Sequence, residues 1–269
     1  MSDMPRQAGL PSLHKVLSPV AVLAVLAVFA ASALATLTAQ AGTGARENVL
    51  WLLVKWTPLL FQGFLMNVLL SVAAMALGTI IGASLGLGQL SHIAPLRGMS
   101  WVVTHFFRNA PWLVILFFVM FLMPFEVTVA GITVPLPDWL KAIIGLSLPV
   151  AANFAEIVRG AVQSIPSGQW ESAESFAFSR RQTMWLIILP QCVRRMLPPW
   201  MNLYAMLTMT TVLASIVGVQ EVMTTVTKIN GAEGRTDLLL PVYTYVLIWF
   251  FAYCFPIARF TRWLEQRST

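Results

Sequence analysis

Residues 164–199 read S-I-P-S-G-Q-W-E-S-A-E-S-F-A-F-S-R-R-Q-T-M-W-L-I-I-L-P-Q-C-V-R-R-M-L-P-P, the one long polar interruption in an otherwise oily chain. Pro166 closes the helix before it, having no N–H to continue the ladder, and Ser167 is placed to cap the next by accepting from its free N–H groups. In that next helix Trp170, Ala173 and Ala177 fall on one face, while Glu171, Glu174 and Ser175 lie elsewhere around the turn. A second turn, 179–185, carries Arg180 and Arg181. Small residues, a tryptophan and mixed charge suit a short helix that docks into a groove on a partner. They equally suit one lying flat on lipid, arginines toward phosphate.

What surrounds this loop is membrane. The chain is 58% hydrophobic and 10% charged, with a mean hydropathy of +0.76, far from the roughly one quarter charged of a soluble domain. Uncharged runs occupy 16–45, 56–96, 109–125, 196–220 and 238–258, and a helix needs only about 20 apolar residues to cross. A weaker crossing at 139–158 carries Lys141 near its start and Glu156 near its end. The runs lack the ten-residue alternation of a barrel, so the backbone must satisfy itself within helices. The expectation is an all-α integral membrane protein with six transmembrane helices.

With the N-terminus inside, only Arg46, Lys55, Lys141, Lys228 and Arg235 of the 17 basic residues fall outside. That bias puts both termini and the 164–199 loop in the cytoplasm. The same topology accounts for the net charge of +6; the basic residues are dispersed among loops rather than gathered on one face, so nucleic acid is not an expected partner. Cys192 and Cys254 lie on the reducing side and far apart, so no disulfide and no metal site is expected.

One domain is expected, with an N-terminal stretch and extra helix over 1–40 and the core over 57–265. Arg6 and Lys15, the hydrophobic run and Ala39-Gln40-Ala41 also resemble a cleavable secretory signal, although the run at 16–37 exceeds the roughly 7–15 residues of a signal core. A long second helix covers 59–90, where Gly78, Gly82 and Gly86 recur every fourth residue and predict a close helix contact. The third helix is expected to run unbroken to Pro124. V-T-V-A-G-I-T-V-P-L-P at 127–137 looks extended, the fourth helix runs inward to Val162 and the fifth follows Trp200. Residues 221–240 form the last outer loop, and 241–263 the exit helix.

The order of residues in the polar loop narrows its reading. Gly168-Gln169-Trp170-Glu171-Ser172-Ala173, then Ile188-Leu189-Pro190-Gln191, then Pro198-Pro199 and Asn202 closely resemble the inner-loop signature of ATP-binding-cassette importer permeases, in their polar amino-acid uptake branch. Three further stretches match in order. His105-Phe106-Phe107-Arg108-Asn109-Ala110-Pro111 is similar to the family's aromatic-aromatic-Arg-Gly-Thr-Pro segment, and Glu156-Ile157-Val158-Arg159-Gly160-Ala161 with Ser164-Ile165-Pro166 to its Glu-Ile-hydrophobic-Arg-Gly-Ala run. Thr210-Thr211-Val212 and Ile216-Val217-Gly218-Val219-Gln220-Glu221 resemble its fifth-helix pattern. The likeness covers about residues 57–265. Ser172 departs from the signature's second alanine. Ala177 stands where the family has glycine, a strained choice if that turn needs a positive φ. Thr208 and Met209 stand where many relatives carry Lys-Asp.

The resemblance implies a type I importer permease with a cytoplasmic coupling helix, in the bacterial inner membrane. A cytoplasmic ATP-binding subunit, in two copies, would dock on Gly168, Gln169, Trp170, Glu171, Ser172, Ala173, Ala177, Arg180 and Arg181. It also implies a second permease subunit, the same or homologous, a solute-binding protein on the outer side and an amino-acid substrate. ATP and Mg belong to the partner. This chain has no Gly-x-x-x-x-Gly-Lys-Ser/Thr loop, and His14, His92 and His105 form no catalytic or metal cluster, so it is not itself expected to be an enzyme.

Polar groups at bilayer depth are costly and face either a cavity or another helix. Asn67, Arg108, Asn109, Asn153, Glu156, Thr210, Thr211 and Gln220 are the candidates for a substrate pathway. Each has a structural alternative: threonines bond their own backbone, Arg108 can snorkel to lipid phosphate, and Glu156 and Arg159, three apart, can pair. Met206, Met209 and Met223 read as packing. An ion-coupled secondary transporter is the rival, but paired broken helices and inverted halves are not visible, nor is a channel filter.

Overall fold

The computed structural model describes residues 48–129 and 132–268. Among them it is almost wholly helical. α1 (Val49–Gln89) is followed by α2 (Ala94–Asn109) and α3 (Trp112–Leu122), then by strands β1 (Glu126–Val129) and β2 (Ile132–Pro135). After α4 (Asp138–Gln163) the chain forms α5 (Ser167–Ser175), a single turn α6 (Arg180–Gln182) and a π-helical stretch (Thr183–Ile188). α7 (Leu189–Thr210) continues into a 3-10 turn (Thr211–Ser215), and α8 (Val222–Glu233) and α9 (Leu239–Ser268) complete the chain.

α1 and α4 are the axis of the bundle, and the glycines make it possible. A Cβ at Gly82 would stand 2.5 Å from the carbonyl oxygen of Ala151, and one at Gly78 2.5 Å from Val150 Cγ1. Backbones this close exchange dispersion contacts along their length, the main attraction left between helices in lipid. Leu116 of α3 and Leu203 and Leu207 of α7 complete that core around Leu70, Leu146 and Val150. A second core lies at the other end of α1, where Leu52, Leu60 and Phe64 meet Val222, Val226 and Ile229 of α8 and Val242 and Val246 of α9.

Among the described residues, three helical stretches are long and apolar enough to cross a membrane, α1, α4 and residues 236–266, or up to four if the bent α2–α3 pair is one span. The first expected span, at 16–37, lies outside the described residues. The third helix is not continuous as expected: α2 and α3 meet at 108°. Pro111 supplies no N–H and pushes Ala110 to ψ 141, out of the helical region. The fifth helix does not begin after Trp200 either. It passes through Pro190, Pro198 and Pro199, so packing of α7 on its neighbours outweighs the backbone hydrogen bonds those rings remove.

The segment 221–240, read from sequence as a loop, contains a helix that polarity had hidden. Glu221 caps α8 by accepting from Thr224 N at 2.9 Å, and Gly234, at φ 60, closes it. The extended segment before α4 is an antiparallel hairpin with Val127 opposite Val134 and Thr128 opposite Thr133. At its base Lys141 is fully buried. Its ammonium sits 4.0 Å from the centre of the Phe125 ring and 3.8 Å from Asp138 Oδ1, so aromatic and carboxylate share its charge.

Candidate docking loop and polar cluster

α5 is held against the bundle by one face only. Ala173 is buried, and half-buried Trp170 packs on Val162, Ile165 and Ile188, while Gly168, Gln169, Glu171 and Ser172 are exposed. Ser167 is the first helical residue rather than the cap; Pro166 holds that position and offers no side-chain hydrogen bond. The serine that caps is Ser179. Its hydroxyl accepts from Gln182 N at 3.3 Å while Gln182 Oε1 accepts from Ser179 N at 2.9 Å, a reciprocal capping box.

Between these caps α5 ends in a Schellman turn. Phe178 N donates to Ala173 O at 3.1 Å and Ala177 N to Glu174 O at 2.9 Å. Ala177 is left at φ 59, the left-handed conformation, which it alone adopts among the described non-glycine residues. The turn therefore demands the geometry that glycine supplies freely, and alanine there costs about 1–2 kcal/mol. Ala177 has left the helix and is exposed, so it does not continue the Trp170–Ala173 face. Phe176, which the sequence reading passed over, projects with 77% of its surface bare. Its signal was an aromatic inside a polar run.

Beneath the loop, Arg195 Nη1 donates to Ser164 O at 2.8 Å and Ser164 Oγ at 2.9 Å, and Gln191 Nε2 donates to Gln169 Oε1 at 3.4 Å. Arg180 and Arg181 are exposed, and Arg180 Nη1 stands 3.3 Å from His92 Nε2. Cys192 is fully buried against Ala161 and Ile165, so it packs as a small apolar group.

The candidate pathway residues divide into two groups and four separate positions. Asn67 and Thr211 are fully buried together. Asn67 Nδ2 donates to Thr211 Oγ1 at 3.0 Å and to Glu221 Oε2 at 2.8 Å, and its Oδ1 accepts from Val222 N at 3.1 Å. Sequence reasoning took Glu221 as part of a motif and missed that it is buried here. The second group is ionic: Glu156 receives Arg159 in a fork, at 2.7 and 3.2 Å, and Arg108 at 3.3 Å from the other side. One carboxylate between two guanidiniums leaves a local excess of positive charge. Asn109 and Asn153 bond His105 O and Pro149 O one turn back, and Thr210 bonds Met206 O. Gln220 bonds Gly218 O and receives Lys228. A cleft of about 580 Å³ next to the ionic group is lined by Arg159, Arg97 and Gln89. No group of three His, Cys, Asp or Glu among the described residues could hold a metal.

The family described as "Binding-protein-dependent transport system inner membrane component" matches over residues 74–269. The chain belongs to that family. It is therefore a multi-pass inner membrane protein and a component of a binding-protein-dependent transport system, which sets aside the ion-coupled secondary transporter. A probable amino-acid ABC transporter permease protein, YckA of Bacillus subtilis (strain 168), is 35% identical over 78% of this chain and 89% of its own length. The L-cystine transport system permease protein TcyB of the same organism is 31% identical over 78% of this chain and 86% of its own. Among solved structures, an amino acid ABC transporter crystallised with histidines superposes with a TM-score of 0.70 at 22% identity, covering 83% of this chain and all of that one. At that identity the likeness is one of fold.

Proposed function

We propose that this chain is the transmembrane permease subunit of an ABC importer that carries polar amino acids across the inner membrane, driven by ATP hydrolysis in a separate subunit. The observation that carries the reading is the placement of α5. One face is fixed to the end of the bundle through Trp170 and Ala173, and the other, with Gly168, Gln169, Glu171 and Ser172, is bare. A short helix so held moves with the bundle as a rigid body. Closure of two ATP-binding subunits, with their ATP and Mg, pulls on that face and on Ala177, Arg180 and Arg181, and tilts α4 and α7, to which the loop is tied. α5 is thus the coupling helix.

The amino-acid class is supported by the names that the relatives carry. Six crossings, with 16–37 as the first and both termini in the cytoplasm, fit the distribution of basic residues. A second permease subunit, the same or similar, completes the pathway, and a solute-binding protein delivers substrate on the side of α8. Within the pathway, Arg108 and Glu156, with Arg159, are the groups suited to a zwitterion, because they offer both signs of charge in one place. Asn67 and Thr211 serve the helix contact; Asn109, Asn153, Thr210 and Gln220 remain candidates for lining.

The test is co-purification with candidate ATP-binding subunits, comparing the native chain with Glu171→Lys. Capture by the native chain and loss in the variant supports the assignment; no capture by the native chain defeats it. Uptake of basic, acidic and neutral amino acids into proteoliposomes, each with a matching binding protein, reads the substrate class.

A further inference from the structure

The exposed side chains of α1 form a stripe that leads to a cleft. Phe61, Leu65, Leu69, Val72 and Ile80 are each at least half bare, and their spacings keep them on one side of the helix. At Ser84 the stripe enters a cleft of about 910 Å³, walled by Leu87 and Leu96 on one side and Met184 and Trp185 on the other. Arg180 and Arg181 also line it. Neither forms an ion pair with a carboxylate among the described residues. Glu174 shares a smaller cleft with Arg180 without closing one. Arg180 faces His92 instead, at 3.3 Å.

A groove with a hydrocarbon floor and two uncompensated guanidiniums at its end has the polarity of one class of molecule. The geometry points to a site for an anionic phospholipid, its phosphate on Arg180 and Arg181 and an acyl chain along Leu87, Ser84 and Ile80. Guanidinium forks suit phosphate oxygens, and basic pockets beside membrane helices on the cytoplasmic side collect such headgroups. The chain's own N-terminal segment is the wrong occupant by charge, since its first fifteen residues carry Arg6 and Lys15 against Asp3. The inference rests on the cytoplasmic placement of the loop proposed above and adds a lipid-dependent element beside the coupling helix.

The experiment uses the purified full chain, delipidated in neutral detergent and without any ATP-binding subunit, titrated with phosphatidylglycerol or phosphatidylcholine and read by native mass spectrometry. The expected result is preferential retention of phosphatidylglycerol that excess inorganic phosphate does not displace. Changing Arg180→Gln and Arg181→Gln together lowers that preference roughly thirtyfold, about fivefold for each arginine. Ser84→Trp, a change on α1 outside the 164–199 loop, fills the exposed groove and lowers retention while leaving capture of the ATP-binding subunit intact. Equal retention of the two lipids by the native chain overturns the inference, as does displacement by phosphate alone, which marks a free-anion site. Retention indifferent to both variants overturns it too. Normal ATPase capture with no lipid preference sinks this inference and spares the proposed function; failure of capture with the preference intact does the reverse.

Discussion

Arg195 Nη1 reaches both the carbonyl and the hydroxyl of Ser164, at 2.8 and 2.9 Å, and so ties the end of α4 to the first turns of α7 across the base of the docking loop. Charge-assisted bonds to an otherwise free helix-end carbonyl do two things: they satisfy the carbonyl and they fix the angle between the helices. Arg195→Met keeps the stem and removes the donors. We expect a loss of about 1 kcal/mol, since the pair is exposed, seen as a small drop in apparent melting temperature. Capture of the ATP-binding subunit should persist while ATP-driven uptake falls, because the lever still binds but no longer moves both helices together. Equal loss of capture and uptake would place Arg195 in the docking surface instead.

Ala177→Gly relieves the left-handed turn that ends α5. The expected gain is about 1 kcal/mol, read as a higher apparent melting temperature of the purified chain, with ATPase capture at least as good as native. Ala177→Val should move both in the opposite direction. A destabilised glycine variant would mean that the turn is not at φ 59 in the working protein.

Asn67→Ala separates a structural from a transport role. In the fold, Asn67 satisfies both Glu221 Oε2 and Val222 N, and both are buried. Removing it strands two groups at about 1–3 kcal/mol each, so the amount of folded protein in the membrane should fall sharply. Full expression and native melting with uptake lost would instead assign Asn67 to the pathway.

Gly82→Leu tests the axis of the bundle. Even a methyl group would press on Ala151 O, and overpacking of this kind costs about 1–3 kcal/mol. The same change at Gly98, where nothing stands within 4 Å, should be tolerated. Melting of the two variants in one detergent is the comparison.

Much of this was legible because it depends on local periodicity. Small residues every fourth position announced a close helix contact on α1, the run at 127–137 read as extended, and the spacing of Glu156 and Arg159 allowed their pairing. The order of the 164–199 motif singled out the loop and the strain at Ala177. What failed depends on contacts distant in sequence. α8 was hidden because its apolar stripe, Val222, Val226 and Ile229, is completed only by Leu52 and Leu60. Two prolines at 198–199 read as a boundary, yet tertiary packing carries the helix through them. Lys141 looked like the charged end of a span, and only the fold brings Phe125 over its ammonium. Ala110-Pro111 was quoted as a motif, but its consequence, a bend of 108°, depends on where the second leg finds its packing.

That bend keeps α2 and α3 from forming one straight crossing. At about 1.5 Å per residue the two legs measure roughly 24 and 16 Å, so neither alone covers some 30 Å of hydrocarbon. The carbonyl groups left free at the end of α2 and the N–H groups left free at the start of α3 need water or peptide beside them, never oil.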